Sequence, residues 1–187
     1  MMCHFKELLV EMGCTELYEN NYVSLIDQKR VICKMKERYQ TSFMTSCMQD
    51  LGTFPILRTY VQFKTEFEME EYLLVVKDYK IRKCISKFRL SNHNLMIEKG
   101  RHMKPKVPIE VRVCNLCNVI EDELHFLMVC PKFCQERVIL FSIIYSMECN
   151  ILVDDAYTSF INIMGSTNPQ VLFSLGKYLK TCFKLHT

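Results

Sequence analysis

Residues 114 to 130 read Cys114-Asn115-Leu116-Cys117-Asn118-Val119-Ile120-Glu121-Asp122-Glu123-Leu124-His125-Phe126-Leu127-Met128-Val129-Cys130, and Pro131 follows. The spacing is C-x2-C-x7-H-x4-C. A C-x2-C turn folds two thiolates onto one side of a tight loop, where both can reach one ion. The intervening loop is long enough to bring the chain back to that ion. Zn²⁺ takes four sulfur and nitrogen ligands in a tetrahedron, at about 2.3 Å for sulfur and about 2.0 Å for nitrogen. The expected ligands are Cys114, Cys117, His125 and Cys130, a zinc-knuckle-like loop. Three thiolates and a neutral imidazole leave no open position. Such a zinc is structural, and its binding energy stabilises the fold.

One detail of the spacing constrains the backbone. His125 and Cys130 are five residues apart and would point about 140° apart on a regular helix. The chain must therefore bend near Pro131 or depart from regular helix. Cys134, one turn beyond Cys130, is a substitute fourth ligand. Two other readings stand beside zinc. The cysteines could be buried apolar residues next to a helix-face histidine, or a redox C-x-x-C pair, although no βαβ pattern surrounds the motif.

The charge upstream of the motif is one-sided. From Lys77 to Arg112 there are 11 Lys and Arg against 3 acids, a net +8 inside a chain of net +3. Concentrated positive charge attracts phosphates and releases their counterions. The plainer reading is a solvated helix face with lysines lying along it. Zinc beside a basic segment is a combination found in nucleic-acid binding. Arg82, Lys83, Lys87, Arg89, Arg101, Lys104, Lys106 and Arg112 are the candidates for phosphate contact. His93 and Tyr60 are candidates for stacking on bases; His93 also reads as a surface or capping histidine.

Periodicity predicts a mainly α fold. Helices are expected over 2–12, from Asn20 or Asn21 to about 48, and over 66–76, 78–90, 121–129, about 131–147, 154–164 and 170–184. In the helix over 78–90, Ile81, Cys84, Ile85 and Phe88 form the inner face, leaving Arg82, Lys83, Lys87 and Arg89 outside. Residues 56–63 are β-rich but too short to assign. Residues 91–110 carry little apolar material and read as a basic surface connector. The chain divides into an N-terminal helical region (1–55), a helical segment with the connector (56–110), the zinc-binding segment with its following helix (111–150) and C-terminal helices (151–187).

Composition sets the outer limits. The chain has 187 residues, 49% hydrophobic and 24% charged, enough to bury a core. Gly 5 and Pro 5 argue against a many-turned all-β design. No apolar run reaches the roughly 18 residues of a membrane span, and the start lacks the layout of a secretory signal. An intracellular place, nucleus or cytoplasm, is expected. Eleven cysteines, an odd number, do not suit a complete disulfide framework. Most, such as Cys33, read as small buried hydrophobes.

Phe88-Arg89-Leu90-Ser91-Asn92-His93-Asn94-Leu95-Met96-Ile97-Glu98-Lys99-Gly100-Arg101, with Arg112 to Cys117 and Glu121 to Pro131, resembles the zinc-binding segment after the reverse transcriptase domain of LINE-type (non-LTR) retrotransposon proteins. Tyr60-Val61-Gln62-Phe63-Lys64 and Glu70-Glu71-Tyr72-Leu73 fit what precedes it. The resemblance covers roughly 56–140. It implies that Cys114, Cys117, His125 and Cys130 are the metal ligands, that RNA or single-stranded or target DNA is the partner, and that a parent polymerase domain lies upstream. The polymerase palm itself is absent from this chain. Asp154-Asp155 follows the zinc motif, on the wrong side for a polymerase carboxylate pair. These two aspartates read as a helix N-cap and a first-turn acid.

The expected function is a non-catalytic, zinc-binding, nucleic-acid-binding module. The rivals are a zinc-stabilised protein-interaction module and a decayed retroelement fragment with no selected function. No nucleophile–base set, phosphate-cradling glycine loop or open metal site speaks for an enzyme.

Overall fold

The computed structural model describes residues 10, 25–49, 57–64, 68–148 and 150–186. The chain forms two compact units, Met1–Asp50 and Leu51–Thr187. The first contains α1 (Leu25–Gln49). It lies within the long helix expected from about residue 20 to 48. Cys33, expected as a small buried hydrophobe, is exposed on it. The helix expected over 2–12 lies outside the described residues, apart from Val10.

The second unit is helical, with no strand among its described residues. Its elements are α2 (Tyr60–Phe63), α3 (Glu71–Val75), α4 (Tyr79–Arg89), α5 (Met96–His102), α6 (Cys134–Met147), α7 (Ala156–Gly165) and α8 (Pro169–His186). Short turns at Ile109–Val111, His125–Val129 and Pro131–Phe133 connect them. The stretch 56–63, unassigned by pattern, ends in α2. Of the helix expected over 66–76, only α3 is helical among the described residues.

Side-chain caps set several boundaries. Asp78 begins α4 by accepting hydrogen bonds from the amides of Lys80 and Ile81, at 2.8 and 3.2 Å. Asp155 begins α7 by accepting from the Thr158 amide at 2.7 Å. The cap is thus Asp155 and not Asp154, and the first turn holds no acid. Asn168 accepts from the Gln170 amide at 2.9 Å, and Pro169 starts α8, where a missing N–H costs nothing.

The core sits around α8, which packs on α4 and α6. Its buried face is Val171, Leu172, Leu175, Tyr178, Leu179 and Cys182. Gly176 allows the closest approach to α4. A Cβ there would lie 2.2 Å from Ile81 Cγ2. Ile85 and Phe88 of α4 meet this face fully buried, while Cys84, expected beside them, is only half-buried. Phe126, Phe133 and Phe183 join through ring contacts of 4.6 and 4.8 Å. The stretches 56–110, 111–150 and 151–187 all contribute residues to this one core.

The connector over 91–110 departs from its expected surface position. It contains α5, and Ser91, Leu95, Ile97, Glu98 and Gly100 are buried. Two features make this possible. Gly100 leaves room for the Arg112 stem, since a Cβ would lie 2.8 Å from Arg112 Cγ. Glu98, a charge that pattern reading places in solvent, is neutralised by Arg58 and Arg101.

Candidate metal centre

The centre is built on two short devices. The first is the Cys114–Cys117 turn. The amide of Asn118 donates to the Cys114 carbonyl at 2.8 Å, and the amide of Cys114 donates to the Val119 carbonyl at 2.8 Å. Asn118 adopts φ 54°, the left-handed conformation that asparagine tolerates better than most residues. Val113 and Ile120 pair as an isolated antiparallel bridge and close the loop. Both cysteines thereby face one side.

The second device is His125–Val129, which forms a π-helical turn. The Cys130 amide donates to the His125 carbonyl at 2.8 Å, five residues back. This wider turn carries position i+5 back over position i, which a regular helix does not do. The departure from regular helix required by the spacing is thus found immediately before Pro131. Asp122 begins the segment by accepting from the His125 amide at 2.8 Å. Arg137 of α6 closes its far end, donating to the carbonyls of Leu127 and Cys130 at 2.8 and 2.5 Å.

The result is a cluster in which the ligating atoms of Cys114, Cys117, His125 and Cys130 all lie within 4.8 Å of one another. The Cys117 and Cys130 sulfurs are 4.0 Å apart, and no disulfide joins the described cysteines. These four residues could hold a metal ion. His125 is buried, and neither ring nitrogen has a hydrogen-bond partner among the described residues. Burial pushes the Cys130 thiol up to about 12 and raises that of Cys117. Burial also lowers the His125 value, keeping the imidazole neutral as a ligand must be. A donor-rich pocket without internal partners is the arrangement a bound cation resolves. Cys134, the substitute ligand, is exposed at the start of α6 and outside the cluster, so Cys130 takes the fourth place.

The basic residues divide into two sets. Lys83, Lys87, Lys104 and Lys106 are exposed. Arg82 is half-buried, donating to the carbonyls of Leu73 and Val76, and Arg101 is half-buried against Glu98. Three residues expected on the surface are committed inside. Arg89 is buried, pairs with Glu70 at 2.5 Å and packs on the Phe63 and Tyr72 rings. Arg112 is buried and donates to the carbonyls of Val107 and Ile97 at 2.9 and 2.8 Å. The His93 side chain is 1% exposed and bonds Glu123 at 2.7 Å. Tyr60 is half-buried and donates to Glu70 at 2.9 Å.

Pattern reading passed over a second buried cluster. Glu123 accepts from Arg58 at 2.7 and 2.8 Å and from Ser91 at 2.7 Å, besides its bond to His93. Burial would raise its pKa, but His93, Arg58 and Ser91 outweigh that and hold it at about 2. In sequence, Glu121-Asp122-Glu123 looks like a solvated acidic run, and its partners lie 30 to 65 positions away.

No family model, curated protein or solved structure matches the chain.

Proposed function

We propose that this chain is a non-catalytic nucleic-acid-binding module whose fold is pinned by a structural zinc ion. The carrying observation is the convergence of three sulfurs and an imidazole in one buried cluster. Tetrahedral zinc with sulfur at about 2.3 Å separates its sulfurs by about 3.8 Å. The Cys117–Cys130 distance of 4.0 Å suits that ion. All four ligands come from the protein, which leaves no position for a reacting water and supports a structural role.

The exposed lysines support the nucleic-acid half of the reading. Lys83, Lys87, Lys99, Lys104, Lys106 and Lys132 are exposed at the surface. The resemblance to the segment that follows LINE-type reverse transcriptases points the same way. Phosphate contact then rests on lysines, because Arg89 and Arg112 are held inside.

The test is a salt series. A protein that neutralises four phosphates of a single strand loses affinity about 50-fold between 50 and 200 mM salt. Fluorescence anisotropy with a labelled RNA strand reads this directly. Affinity indifferent to salt, or no binding at any salt, rejects the role.

A second reading has its own observation. Val138, Ile139 and Tyr145 stand exposed on one face of α6, as a protein-interaction surface would. A complex with a protein partner that survives reversal of the lysine charges would favour it.

A further inference from the structure

Two clefts lie on either side of Lys99. One, of about 650 Å³, is lined by Asn92, Asn94, Lys99, Arg101 and His102 among others. The other, of about 610 Å³, runs beside the metal cluster and is lined by Asn94, Lys99, Asn115, Leu116, Lys132 and His186 among others. Asn94 and Lys99 belong to both and form their common wall. Each volume falls within the range of about 300–1,000 Å³ typical of small-ligand sites.

The charges in these clefts are unequally committed. Glu98 in the first is bound by Arg58 and Arg101. Glu121 in the second pairs with His186 at 2.9 Å and accepts from the Met96 amide at 2.7 Å. Glu98 is therefore neutralised by two guanidinium groups, and both oxygens of Glu121 are hydrogen-bonded from within the protein. The Lys99 ammonium is exposed and has no partner among the described residues. Lys132 is also exposed, with its ammonium 5.9 Å from the Phe133 ring. Leu116, 63% exposed at the tip of the cysteine loop, offers an apolar surface beside the amides of Asn94 and Asn115. Each cleft thus combines polar edges with positive charge at its rim.

We infer that these clefts receive two consecutive nucleotides of a single strand, with the connecting phosphate on Lys99. This rests on the nucleic-acid reading above and assigns it a place and a strand state. Bases in a duplex are paired and stacked, so they cannot enter separate concavities. The bases of a single strand can be splayed into them. Lys99 is then the principal phosphate contact, and Lys83 and Lys87 on α4 add only general attraction.

The test uses the full chain, a labelled 12-nucleotide RNA strand and the same sequence as a duplex. Wild type should bind the single strand at least tenfold more tightly. Lys99→Glu should lose at least tenfold in affinity for the strand, and Lys99→Arg should retain it within threefold. The double variant K83E/K87E should lose less than the single Lys99→Glu change. Helicity and metal content, unchanged in all variants, exclude misfolding as the cause. Equal affinity for duplex and strand, or Lys99→Glu binding within threefold of wild type, overturns the inference. If K83E/K87E abolishes binding while Lys99→Glu does not, the clefts are wrong but nucleic-acid binding stands. No binding by wild type removes both.

Discussion

Two buried polar clusters lie close together in sequence and differ in one respect. Around Glu98 and Glu123 the chain supplies both signs of charge, two carboxylates against Arg58 and Arg101, with the His93 ring hydrogen-bonded to Glu123. Around Cys114, Cys117, His125 and Cys130 it supplies only donors of electron pairs. The first cluster meets its carboxylates with guanidinium groups from the same chain. The second, once its thiols ionise, gathers negative charge that nothing in the chain balances. Burying a charge without a partner is expensive, so the second cluster calls for an external cation.

The largest break should come at the cluster that lacks its own partner. Cys117→Ser removes a ligand and should lower stability by about 4 kcal/mol or more, seen as a fall in Tm of about 10 °C or more. Cys134→Ser, in the exposed position outside the cluster, should stay within about 0.5 kcal/mol of wild type. Equal effects from the two would erase the distinction between them.

Breaking the self-contained cluster should cost nearly as much, with no dependence on metal. Glu123→Ala removes the buried carboxylate that Arg58, Ser91 and His93 share and should destabilise by about 3–5 kcal/mol in denaturant titrations. The variant should keep its metal at neutral pH. Loss of metal together with stability would mean that the two clusters are a single unit.

The pH dependence sharpens the same contrast. The Glu123 value of about 2 in the folded protein lies below the ordinary 4.5. Its contribution, about 3 kcal/mol, is present above about pH 4.5 and disappears as the pH falls toward 2. The stability gap between wild type and Glu123→Gln should therefore narrow as the pH falls from about 5 toward 2. A gap that does not narrow contradicts the ion-pair origin of the shift.

The smallest effect belongs to the loop backbone. Asn118 holds φ 54°, where alanine is disfavoured by about 1 kcal/mol and glycine is at ease. Asn118→Ala should weaken both stability and metal affinity slightly. Asn118→Gly should leave metal affinity unchanged.

The metal cluster was legible because its information is local. Four candidate ligands within 17 positions fix a loop and a turn, and even the need for irregular helix followed from the five-residue step between His125 and Cys130. A cap at the Asp154-Asp155 pair was legible for the same reason, and it falls on Asp155. The connector over 91–110 carries little apolar material and is nevertheless partly buried, because its charges are paired across the fold. Glu98, Arg89, Arg112 and His93 are buried with partners that sequence distance conceals, such as Arg58 for Glu98, 40 positions away. Gly100 lies in that connector, and its missing side chain accommodates the Arg112 stem. Pattern reading finds ligands spaced along the chain and misses charge pairs made across the fold.

The most direct measurement is the metal content and ligand shell of the purified chain, followed by chelation while helicity is monitored. Zinc held by Cys114, Cys117, His125 and Cys130 requires one equivalent per chain, an X-ray absorption shell of three sulfurs and one nitrogen, and loss of helix when the metal is withdrawn. A chain that purifies without metal, fails to take up zinc and keeps its helicity in chelator would contradict it.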